Sequence, residues 1–95
     1  MSTIDTMNPN GLLFPTIHSN GTSKSALEEQ IEEAHAAIRN AEEKLAAAAP
    51  NGRDYYTQEV TTFYKAQDQH LLRMQRLHGV RLELETIAEH LAFQP

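Results

Sequence analysis

From Leu27 to Ala48 the apolar residues recur as Leu27, Ile31, Ala34, Ile38, Ala41, Leu45 and Ala48, and Pro50 follows at once. That spacing is 4-3-4-3-4-3, the seam of a helix that pairs with another helix. Proline then removes a backbone donor and stops it. A second run reads Val60, Phe63, Gln67, His70, Met74, Leu77, then Val80 or Arg81, Leu84, Ile87 and Leu91. Two such seams around Pro50-Asn51-Gly52-Arg53 predict an all-α antiparallel two-helix hairpin, coiled-coil-like, preceded by an irregular N-terminal arm. The reading is a single domain over 1–95, with the arm at 1–22, helix 1 at 23–49, the turn at 50–54 and helix 2 at 55–92.

The ends of these helices have local signals. Thr22, Ser23 and Ser25 are reasonable N-caps, and Ser25-Ala26-Leu27-Glu28 fits a capping box. Glu28, Glu29, Glu32 and Glu33 suit the positive end of helix 1. Asp54 is the expected N-cap of helix 2. Gly79 falls mid-helix, costs about 1 kcal/mol against alanine, and is read as a place where another backbone comes close. In the arm, Asn8-Pro9-Asn10-Gly11 is a turn signal, and Leu12, Leu13, Phe14 and Ile17 form an apolar patch able to dock. Folding the hairpin at a four-residue turn sets Leu27 opposite Arg76 and Leu45 opposite Gln58. The last four turns of helix 2 then overhang. Either the arm or a second subunit must cover them, and a homo-oligomer is expected because so short a chain has a thin core.

Composition limits the function classes. There is no cysteine, so disulfides and thiolate metal sites are excluded. The formal net charge of −5 argues against a partner that is a nucleic acid polymer. No apolar run reaches membrane-spanning length, and the residues after Met1 lack the basic and apolar regions of a secretory leader. The expectation is therefore a protein of the cytoplasm with no membrane partner.

The polar chemistry gathers at His18–Ser25, where the arm meets helix 1. Between Asp68 and Glu83 there is no acidic residue, while His70, Arg73, Arg76, His78 and Arg81 lie there. The expected hairpin brings this basic window to the helix 1 N-terminus. Free N–H groups with converging arginines make an anion site, for which phosphate is the usual guest. In this reading Asn20, Gly21, Thr22 and Ser23 donate to phosphate. Lys24, Arg73 and Arg81 neutralise it, and Phe14 and His18 stack on a base or sugar. The plainer account is that the hydroxyls cap and the arginines pair with Glu28, Glu29 and Glu32. Arg53-Asp54-Tyr55-Tyr56 at the hairpin tip is explained by capping and packing, or serves as a contact surface. Glu32-x-x-His35 has the spacing used in di-metal bundles, with His70 expected near His35. Only one such pair is present and Gln67 replaces the facing carboxylate, so neither metal nor cofactor is expected. No catalytic triad, P-loop or dinucleotide motif occurs, so the chain reads as non-enzymatic.

Three blocks carry a resemblance: Pro15-Thr16-Ile17-His18-Ser19-Asn20-Gly21-Thr22-Ser23, Pro50-Asn51-Gly52-Arg53-Asp54-Tyr55-Tyr56, and the weaker His70-Leu71-Leu72-Arg73. They resemble the Pro-Thr-x-His-x-Asn-Gly-Thr-Ser and Pro-Asn-x-Arg-Asp-Tyr-Tyr blocks of a family of small phage and prophage proteins. In size and layout, though not in matched motifs, the chain is also similar to phage nucleotide sponges that sequester the signals of CBASS or Thoeris immunity. The resemblance implies a phage protein in the host cell cytoplasm that binds a cyclic oligonucleotide or a cyclic ADP-ribose-type nucleotide and counteracts defence. The alternative is a structural or adaptor phage protein, or an inhibitor of a host factor.

Overall fold

The computed structural model describes residues 11–95. The expected Asn8–Gly11 turn therefore lies outside the described residues except for Gly11, whose φ of +68° is left-handed and favours glycine. Helix α1 spans Lys24–Ala47 and helix α2 spans Thr62–Ala92. A single 3-10 turn, Gly52–Asp54, lies between them, and the described residues contain no strand. The two helices pack as a hairpin in an elongated molecule of 61 × 32 × 17 Å.

Ser23 caps α1, its Oγ accepting from the Ala26 N–H at 3.2 Å. That moves the cap two residues ahead of the Ser25–Glu28 box. The far end stops at Ala47, where the Ala48 N–H closes back onto the carbonyls of Lys44 and Leu45.

Helix 2 begins later than its seam suggested. Asp54 does not cap it. Instead Asn51 accepts from the Arg53 N–H at 3.0 Å and opens the 3-10 turn. Residues 55–61 stay irregular. Thr57, Val60 and Thr61 are β-branched and lose side-chain freedom in a helix. Tyr55 is half-buried instead against Phe63, ring centroids 6.0 Å apart. Thr61 precedes α2 without a side-chain cap bond.

This long connection changes the register. His35 pairs with Glu85, and Glu42 with Arg81; Lys24 reaches Ala92 and Gln94. So α1 lies against the C-terminal part of α2, where Leu27 was expected against Arg76. The overhang moves to the other end of α2, beside the irregular turn, where Gly52 faces the Phe63 ring. The arm does fold back onto the hairpin. The Gln94 side chain holds it by accepting from the Ile17 N–H and donating to the Pro15 carbonyl, both at 2.9 Å. Phe14 stacks on His90 with centroids 4.2 Å apart.

The inward stripe of α1 is Leu27, Ile31, Ile38 and Leu45, with His35 taking the place expected for exposed Ala34. On α2 it is Phe63, His70, Met74, Leu77, Arg81, Leu84 and Leu91. Among the described residues, Leu91 is the only apolar side chain that becomes buried. Two helices and an arm do not enclose a core.

Candidate functional site

The arm–helix corner exists, but without the arginines expected from helix 2. His18, Asn20, Gly21 and Thr22 are exposed. The Gly21 N–H donates to the His18 carbonyl at 3.1 Å. The His18 ring covers Gly21 so closely that a Cβ there would sit 2.7 Å from Nε2. His18 is thus turned inward onto its own loop. Ser23 takes the Ala26 donor as a cap. Lys24 Nζ donates to the carbonyl of Gln94 at 2.5 Å and to that of Ala92 at 3.4 Å. Its ammonium occupies the negative end of α2, a stabilising position for a cation. Phe14 is engaged with His90.

The arginines stand elsewhere. Arg81 lies partway along the hairpin. Its Nε donates to Glu42, and its Nη1 donates to Glu85 at 2.7 Å. Arg73 is exposed farther toward the start of α2 and makes no ion pair among the described residues. Of the nine residues expected to form one ligand site, the structure gathers Phe14, His18, Asn20, Gly21, Thr22, Ser23 and Lys24 at one end. Arg73 and Arg81 are not brought to them. The displacement follows from the register: fourteen residues, 48–61, separate the helices, so the basic window slides along α1.

Around Arg81 the side chains form a chain across the hairpin. The Arg81 hydrogen bond holds the Glu42 carboxyl below its ordinary value, with burial opposing and His78 adding to the effect. Glu85 is held low first by the His35 hydrogen bond, again against burial, and then by Arg81. The guanidinium is pushed up in return, chiefly by Glu42. Because Glu85 is a carboxylate acceptor, His35 Nε2 must carry the proton of their 2.8 Å bond. His78 Nδ1 lies 2.9 Å from Arg81 Nη2 and 3.3 Å from Glu42. It cannot accept from the arginine and donate to the carboxylate at once, so the two contacts compete for the one ring nitrogen.

A groove of about 340 Å³ beside this chain is lined by Glu28, Ile31, Glu32, His35, Leu84, Glu85 and Ala88. Three carboxylates make it hostile to phosphate. His70, expected near His35, is instead buried with an unpartnered Nε2, and no cluster of three or more His, Asp or Glu among the described residues has metal-binding geometry. No helix among them is long and apolar enough to cross a membrane.

The Gln94 clamp, the Phe14–His90 stack and the Glu42 pairing have no local sequence signal, because each joins residues distant in the chain. Arg81–Glu85 does have one, the i,i+4 spacing of opposite charges.

Several large apolar side chains remain exposed. On α2, Tyr64, Leu71, Leu72, Val80 and Leu82 are 60%, 56%, 54%, 44% and 46% exposed, and Val60 and Tyr56 in the preceding turn are more so. Side chains of this size outside a hairpin that buries one leucine are the principal feature of the surface. No family model, no curated protein and no solved structure matches the chain.

Proposed function

We propose that this is a non-catalytic association protein, a helical hairpin that works by packing α2 against another helix. The observation that carries this reading is the imbalance of its apolar residues. One is fully buried among the described residues, while the large side chains of α2 line its outside as well as its inside. Covering them is the main favourable free energy the fold leaves unused. We take the resemblance to small phage proteins as its setting, so the role is structural, adaptor or inhibitory within an infected host.

Sequestration of a signalling nucleotide is the competing reading. It loses its main support when Lys24 and Arg81 are engaged within the chain and Arg73 stands apart. Sedimentation velocity across a concentration series tests the association reading, which expects a species larger than 10.7 kDa. A monomer at every concentration refutes it. Calorimetry with cyclic oligonucleotides and cyclic ADP-ribose is the counter-test: saturable heat on the monomer restores the nucleotide reading.

A further inference from the structure

Gly79 has no role in the packing of the hairpin. It sits in the middle of a 31-residue helix, where glycine is the least favourable residue apart from proline. A Cβ built on it meets nothing within 4 Å. Its φ is not positive, so backbone strain does not demand glycine either. Among the described residues nothing compensates the cost of this glycine.

Its position on the helix is informative. At 3.6 residues per turn, Leu72, Gln75, Gly79, Leu82 and Thr86 recur at 3-4-3-4 spacing. They lie on the side of α2 opposite the inward stripe of His70, Met74, Leu77, Arg81 and Leu84. This is a second seam, with leucine on either side of a glycine and exposed in both cases. Bare glycine backbone lets a neighbouring helix approach closely, and a leucine of that helix can fill the space over it.

The charges beside this seam specify the occupant. Arg76 and Glu83 flank it seven residues apart, on the same edge and on either side of Gly79. Both are exposed and neither makes an ion pair among the described residues. An antiparallel copy of α2, related by a two-fold axis beside Gly79, sets Arg76 against the second copy's Glu83, and the symmetry repeats the pair. In a parallel copy the edge carrying Arg76 and Glu83 would instead face the opposite edge, where Leu71 and His78 stand, and the Arg76–Glu83 pair would not form. The acid-free window from Asp68 to Glu83 is thus one half of a surface whose other half is the acidic end of the same helix.

We propose that the protein forms a two-fold dimer in which α2 packs antiparallel on the α2 of a second copy, crossing at Gly79 and aligned by Arg76–Glu83 pairs. This rests on the reading of the protein as an association module and names its partner and register.

The test is the dimer dissociation constant of wild-type, Arg76→Glu, Glu83→Arg, the double variant and Gly79→Ala, measured by sedimentation, with circular dichroism confirming helicity. Each single reversal creates two like-charge contacts and weakens the dimer by about tenfold, while the double variant restores it to within about threefold of wild type. Gly79→Ala raises the unfolding midpoint of the dilute monomer yet weakens the dimer, since the methyl group favours helix and blocks the close approach. A dimer indifferent to both reversals, or not restored in the double variant, overturns the pairing and leaves the association reading standing. A wild-type chain that stays monomeric at about 100 µM, a concentration that reveals even weak association, overturns both.

Discussion

Lys24 shows how a residue chosen for one chemistry is used for another. Its ammonium reaches the carbonyls that end α2, so it joins the start of one helix to the end of the other. Replacing it with methionine keeps the aliphatic stem and removes the donor. We expect a loss of about 1 kcal/mol in urea unfolding, and no change in helix content of the folded state. Glu42 and Glu85 give a second prediction. Both carboxyls lie below the ordinary value of 4.5. A lowered carboxyl binds fewer protons in the folded than in the unfolded chain. Its stabilisation is therefore present above about 4.5 and lost as the pH falls through the lower folded values. The unfolding midpoint should drop between neutral pH and pH 3. Glu42→Gln and Glu85→Gln should each lower it at neutral pH and flatten the acid decline. An unchanged decline in both variants would mean that the network around Arg81 does not form.

The two helices are held in a register that their seams alone do not determine. Position 35 faces position 85 in the structure. A short thiol cross-linker should therefore join cysteines placed at His35 and Glu85 within one chain, and should fail between Leu27 and Arg76. Mass spectrometry of the dilute, denatured product reads the outcome, and the reverse pattern would mean the four-residue turn. The sequence makes the helices themselves legible, because the 4-3 recurrence from Leu27 to Leu45 and the stop at Pro50 are local. It also makes the docking of the arm legible, since Phe14 and Ile17 have no reason to be in a solvated tail. It does not reveal where α2 starts. Asp54 is as good an N-cap as any in the chain, and the residues that defeat it do so through weak β-branched preferences at 57–61 and a tertiary contact between Tyr55 and Phe63. Delaying α2 by that stretch moves every cross-hairpin contact. One misplaced boundary therefore dismantles a site whose individual residues were each reasonable.

At the scale of the molecule the question is what keeps so open a shape folded. The radius of gyration is 18.9 Å, against about 12 Å for a compact chain of this length. An elongated hairpin with one fully buried apolar side chain exposes much of the surface that folding would otherwise remove from water. Such a fold gains stability from whatever covers α2, and the coupling can be measured. If folding and pairing are one process, apparent stability rises by RT ln of the concentration ratio, about 2.7 kcal/mol over a hundredfold range. For a small protein in urea that is a shift in midpoint of the order of 1 M. Leu72→Glu places a charge on the outer seam without touching the hairpin interface, so it should abolish the concentration dependence while keeping the helical signal of the dilute chain. The hairpin would then be a sound but weakly stable monomer. A Leu72→Glu chain whose midpoint still climbs with concentration would place the cover on another face, such as the Tyr56, Val60 and Tyr64 cluster at the hairpin tip.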